Sequence, residues 1–235
     1  MKKNLFLILC SCFTLFNLLN AKELDLKLLD KKDQSIIKIS ALTTVGDTNK
    51  LYQVLNEGLD NGLSVNEVKE VLVQTYAYAG FPRSLGGIGT FMKVMEDRKA
   101  KGIEDKEGKE SSPLPENFNK DEYGAKVRAK LAGQDKIPEP SGYQLFSPII
   151  DTYLKEHLFA DIFVRDILTP KQRELSTISV LAALGNVKGP IAFHFKASMN
   201  SGWTKDELKE FTLVIKDCLG EKKAQEANSV LETLK

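Results

Sequence analysis

His194 is the residue in this chain best placed to do chemistry. It shares a helix-spaced face with Ile191, Phe195 and Ser198, and an imidazole that titrates near neutrality can give or remove a proton. From that spacing alone a hydrogen-bonded core histidine is the simpler reading. Glu174 falls in the opening turns of another helix at the edge of its apolar stripe, one turn before Ile178 and two before Leu181. A carboxylate there either rests on the helix dipole or serves as a catalytic acid or an orienting partner for His194. Arg83 and Arg165 carry the planar fork that holds a carboxylate through two hydrogen bonds. The competing role for each is a surface ion pair, as between Arg165 and Asp161 four residues before it. Tyr78 reads as packing, and His157 and Trp203 as structural. No histidine and carboxylate cluster has metal-ligand spacing, so neither a metal nor another cofactor is expected.

The elements that must position these groups are helices. Dense apolar residues from Lys31 to Thr44 precede Gly46, and a second helix runs from about Asn49 to Asn61 before Gly62. Ser64-Val65-Asn66-Glu67 is a capping box that starts a third helix, which ends at Gly80. Pro82 opens a fourth through Phe91 and Met95. Gly86-Gly87-Ile88-Gly89 lacks the spacing and the lysine of a phosphate loop and reads as close helix packing. Between Glu96 and Glu110, 11 of 15 residues are charged, in mixed sign, and prolines follow. That composition marks a solvated connector, with a short helix from Asp121 to Leu131. A helix from Pro148 to Ile167 comes next, then one started by Thr169, Pro170 and Gln172 that runs to Gly185. Pro190 opens another, which ends at Gly202. Thr204 and Glu207 form a second capping box for a helix that stops at Gly220, and a last helix reaches the C-terminus.

The 235 residues are 42% hydrophobic and 28% charged, enough apolar material for one or two cores. Thirty-three basic residues against 32 acidic ones give no field for nucleic acid or an anionic membrane. Residues 1–21 differ from the rest: Lys2 and Lys3, an apolar run from Leu5 to Leu19, then Asn20 and Ala21. This is a secretory leader, and the chain is expected to be exported to the periplasm. Leu9-Cys10-Ser11-Cys12 also loosely resembles a lipoprotein processing site at Cys12, although the apolar run continues past it. No later stretch approaches the ~20 apolar residues of a membrane span. Cleavage after Ala21 would leave Cys218 alone, so a disulfide framework is excluded.

The two halves repeat. Ile36, Ser40 and Gly46 pair with Leu175, Ser179 and Gly185 at an offset of 139. Gly62, Ser64, Glu67, Glu70 and Gly80 pair with Gly202, Thr204, Glu207, Glu210 and Gly220 at 140. The expected fold is all-α, a tandem duplication of a helical unit packed as a pseudo-dimer. Its organisation is a leader over 1–21, a first repeat over 22–100, a charged, proline-rich connector over 101–147 and a second repeat over 148–235.

Arg173-Glu174-Leu175, Leu181 to Gly185, His194, Gly202, Thr204 and Glu207 to Glu210 together resemble the carboxymuconolactone decarboxylase family. Glu67 to Leu72 and Tyr78 to Pro82 repeat the ending of that pattern, and Phe159 to Arg165 is similar to the run that precedes its core motif. The resemblance implies an alkylhydroperoxidase D-like helical fold and a homo-oligomer. It places His194 on the motif histidine, which turns the preference from a core histidine to a proton donor, with Val54 at the matching place in the first repeat. Peroxidatic members of the family use a Cys-x-x-Cys pair seven and four residues before the histidine, and here those positions are Val187 and Pro190. Cys218 lies on the apolar stripe of its helix, so peroxide reduction by that mechanism is disfavoured.

For a decarboxylase of this kind the resemblance implies a small unsaturated carboxylic acid or lactone as substrate. Its own carbonyl would be the electron sink, with His194 as proton donor, Glu174 orienting it and Arg83 or Arg165 on a substrate carboxylate. An exported protein is an odd place for aromatic-acid catabolism. The alternative is a member without chemistry, acting as a periplasmic binding or assembly module. The two separate on whether a pocket encloses His194 and Glu174 with an arginine in reach.

Overall fold

The computed structural model describes residues 26–234; the leader expected over residues 1–21, with Cys10 and Cys12, lies outside them. Among the described residues there is no strand, and no helix is long and apolar enough to cross a membrane.

Local signals set most of the helix starts. α1 (Lys31–Val45) begins where the Asp30 carboxylate accepts from the Asp33 amide and ends at Gly46, whose φ of 76° suits a residue without a side chain. α2 (Thr48–Asp60) is capped by Asp47. α3 (Val65–Ala100) opens on a reciprocal capping box, Ser64 accepting from the Glu67 amide and Glu67 from the Ser64 amide. Gly80 breaks its axis with φ 76° and ψ 169°, a conformation open essentially to glycine. The third and fourth helices expected from the sequence are thus two arms of one kinked element. In the glycine cluster only Gly87 does close packing, against Thr43 and Leu72, while Gly86 and Gly89 face open space.

After α3 the chain returns along its own start. Val65 and Asn66 donate backbone hydrogen bonds to Lys106 and Glu107, and buried Arg98 pairs with Asp60 and Asp105. α4 (Lys120–Leu131), α5 (Tyr143–Phe146) and α6 (Pro148–Tyr153) follow, and α6 passes into a π-helical segment, Leu154–Ile162. The single helix expected over Pro148 to Ile167 therefore ends earlier and is wound differently. Over two turns an i→i+4 and an i→i+5 pattern place much the same side chains inward, so apolar spacing does not distinguish them. Gly124 of α4 lies so close to the Lys155 carbonyl that a Cβ there would collide.

The second repeat reuses the devices of the first. α7 (Pro170–Leu184) starts on a box between Thr169 and Gln172, α8 (Lys188–Asn200) carries Pro190 as its third residue, and α9 (Lys205–Leu219) starts on a box between Thr204 and Glu207. α10 (Glu221–Glu232) closes the chain.

The two repeats pack through matching faces as a pseudo-dimer. α1 lies against α7, its counterpart, and two further contacts are reciprocal: α1 on α9, α3 on α7. α1 and α7 are buried on nearly all sides, which explains why polar Ser40, Thr44, Ser176, Thr177 and Ser179 stand among their apolar residues. Small side chains let the two axes approach, and the Ser40 and Ser176 hydroxyls meet at 2.8 Å. One continuous core joins Ile36, Leu42 and Leu72 of the first repeat to Leu175, Phe195 and Phe211 of the second.

Candidate functional site

Three helices bring a carboxylate, an imidazole and a phenol into line. The Thr169 cap fixes where α7 begins, and with that start Glu174 faces inward, fully buried. α8 turns His194 to the same interior at 6% exposure. Its Nδ1 lies 2.8 Å from Glu174 Oε2. From the first repeat, Tyr78, two residues before the Gly80 break, brings its hydroxyl to 3.4 Å from His194 Nε2, a long hydrogen bond. The Tyr78 and Phe193 rings stand edge-on to the imidazole, at 5.4 and 5.1 Å between centroids.

The electrostatics give the chain a direction. Burial, and then the negative charge of Glu174, hold the Tyr78 phenol far above its ordinary value. A phenol that keeps its proton can donate it to Nε2, and the tautomer that accepts it there has its own proton on Nδ1, facing Glu174. Oε1 of Glu174 is buried without a protein hydrogen-bond partner. The hydrogen bond of this carboxylate therefore comes from His194. Sequence alone pairs Glu174 with His194; Tyr78, which reads there as packing, is the third member and comes from the other repeat.

The arginines are placed elsewhere. Arg165 reaches the buried carboxylate of Glu70, its Nε 3.1 and 3.0 Å from the two oxygens, while Asp161, the partner expected four residues away, takes Lys120 and His157. Arg173, also buried, lies 2.6 Å from the same Glu70 and 2.8 Å from Gln74, and Gln74 in turn donates to Thr177. This network ties α3 to α7 across the repeats. Arg83 is exposed, with its guanidinium against Gly46 at the end of α1. These contacts engage Arg165 with Glu70 and set Arg83 beside Gly46 rather than at His194.

Trp203 is structural, its indole donating to the Lys171 carbonyl and its ring under the Lys171 ammonium. His157, expected to be structural as well, bonds to Tyr76 and Asp161 and is about half exposed, on a groove of about 460 Å³ that Tyr78 borders too. Burial, with Asp217 beside it, pushes the Cys218 thiol up to about 12, far from a reactive thiolate. No cluster that could hold a metal occurs among the described residues.

The profile of the Carboxymuconolactone decarboxylase family matches residues 13–88 and again residues 150–233, one match in each half. The chain is 31% identical over 91 residues to 4-carboxymuconolactone decarboxylase of Acinetobacter baylyi, covering 38% of this chain and 67% of that one. It is 25% identical over 72 residues to an uncharacterised protein of Methanocaldococcus jannaschii, covering 31% of this chain and 67% of that one.

Proposed function

Because the chain belongs to the carboxymuconolactone decarboxylase family, we propose that it is an exported, cofactor-free lyase or related enzyme acting on a small unsaturated carboxylic acid or lactone. The observation that carries this reading is the 2.8 Å pairing of His194 with Glu174 in a buried setting. When carbon dioxide leaves such a substrate, its electron pair passes into the conjugated carbonyl, and the resulting enolate needs a proton on carbon. His194 as imidazolium is the donor, Glu174 holds the ring and stabilises its charge, and the Tyr78 hydroxyl links the pair toward the groove.

Lys2, Lys3 and the apolar run from Leu5 to Leu19 support export. The exposed Leu145 and Phe146 of α5 support self-association. The direct test of catalysis is turnover of 4-carboxymuconolactone, the substrate in the Acinetobacter relative's name, by the protein lacking residues 1–21. Measurable carbon dioxide release that His194→Ala abolishes is expected; release that persists in the variant refutes the assignment of His194.

One pair of observations favours a second reading, a binding or assembly module without chemistry. His194 is only 6% exposed and Arg165 is engaged by Glu70. Absence of turnover across unsaturated acids and lactones, with ligand binding retained, would select that reading.

A further inference from the structure

A second carboxylate, imidazole and phenol stand in line on the surface, parallel to the buried set. Asp161 Oδ2 lies 3.3 Å from His157 Nδ1, and His157 Nε2 lies 3.1 Å from the Tyr76 hydroxyl. The order of atoms is that of Glu174, His194 and Tyr78. Tyr76 and Tyr78 are two residues apart on α3, and both border the groove of about 460 Å³ between the Gly80 break and the start of the π-helical segment. Its size falls in the range of small-molecule sites.

The lining of this groove is specific about chemistry. The Tyr76 and Phe81 rings lie with centroids 4.3 Å apart, tilted at 38°, and Ile150 and Tyr153 of α6 line the groove as well. Phe81 and Tyr153 remain 62% and 60% exposed, so apolar area is left for a ligand to cover. Neither lysine nor arginine lines the groove, and His157 is the lining group that can become cationic. Asp161 is prepared to support that charge: burial pushes its carboxyl up, yet hydrogen bonds from Lys120 and His157 outweigh this and hold it below the usual carboxylate range. An imidazolium donates through both nitrogens, to Asp161 and to the Tyr76 oxygen. The Tyr76 proton is then free to point into the groove.

We propose that this groove binds a planar, largely apolar monocarboxylate, its ring or alkene between Phe81 and Tyr153 and its carboxylate on the Tyr76 hydroxyl backed by His157. His157 and Tyr76 thereby supply the anion recognition that Arg83 and Arg165 do not bring to the site. The inference rests on the catalytic reading for any step after binding, since Tyr78 joins the groove to His194, but binding itself requires no turnover.

The test is calorimetric titration of the protein with trans-cinnamate and, in parallel, with neutral trans-cinnamamide. The acid is expected to bind, and the amide at least about tenfold more weakly, the usual worth of a charge-assisted hydrogen bond. His157→Gln and Tyr76→Phe should each weaken the acid by about tenfold and leave the amide nearly unchanged, a pattern that simple misfolding would not give. Those losses support the inference whether or not the wild-type protein turns over a lactone, so a failure of the catalytic reading does not carry this one down. No binding of the acid, equal binding of the amide, or full affinity in both variants overturns it.

Discussion

The two repeats share their scaffold and differ in their chemistry. Lys171 pairs with Glu207 at 3.2 Å in the second repeat, and Lys32 pairs with Glu67 at 2.7 Å in the first. Glu70 and Glu210, also counterparts, both reach across to the segment that precedes the other repeat's central helix. Glu70 takes Arg165 and Arg173, and Glu210 accepts from the amides of Lys27, Leu28 and Leu29. The positions matching Glu174, His194 and Tyr78 are Ser35, Val54 and Cys218. Ser35 is used locally, donating to the Lys31 carbonyl and accepting from Asn61, Val54 is buried in the core, and the Cys218 thiol keeps its proton. The halves thus keep what joins them, and one of the two equivalent interior places holds a carboxylate, an imidazole and a phenol within hydrogen-bond reach.

Substitutions at paired positions test that contrast. The largest expected effect is on turnover of the lactone: His194→Ala should lower it by about 10²–10⁴-fold, the usual worth of a positioned acid or base. Val54→Ala should leave kcat within about twofold, and an equal loss in both variants would abolish the distinction between the repeats. Next come the cross-repeat carboxylates. Glu70→Gln strands buried Arg173 and should cost about 3–5 kcal/mol in urea denaturation. Glu210→Gln, which keeps a neutral acceptor for three amides, should cost about 1 kcal/mol. Equal losses would show that the buried network is no stronger an anchor than its counterpart.

The smallest effect concerns pH. Burial, then the neighbouring Asp30, push the Asp33 carboxyl up to about 6 from 3.8, and the matching residue in the second repeat is neutral Gln172. Between those two values the folded protein holds this proton more tightly than the unfolded chain does. Stability contributed here is thus lost as pH rises through about 6. Asp33→Gln should raise stability at pH 7 by about 1 kcal/mol or less, since solvent screens the partly exposed group. The gain should vanish at pH 4, and a gain of equal size at both pH values would contradict the assignment.

What was legible in the sequence is what depends on near neighbours. The boxes at Ser64 and Thr204 and the cap at Thr169 each need only four residues, and all three helix starts form as expected. The repeat offsets were equally visible and gave the pairing of the halves. The site was half legible, because Glu174 and His194 both lie in the stretch whose motif carries the family resemblance. Tyr78 belongs to a different repeat from His194, and nothing in its own surroundings distinguishes it from a packing aromatic. Arg165 shows the same limit: its nearest acidic residue at helical spacing was Asp161, but the fold supplies Glu70 from another helix. The π-helical segment escaped because apolar spacing over two turns fits either winding.

Tyr78 stands on one half of the molecule, and Glu174 and His194 on the other. In a pair of separate identical chains any exchange at such a place would occur twice, once on each side of the axis, and assembly would depend on concentration. Joined as one polypeptide, the halves meet at any dilution. A residue that suits only one side can then change without altering its twin, and that freedom lets valine stand at 54 while histidine stands at 194.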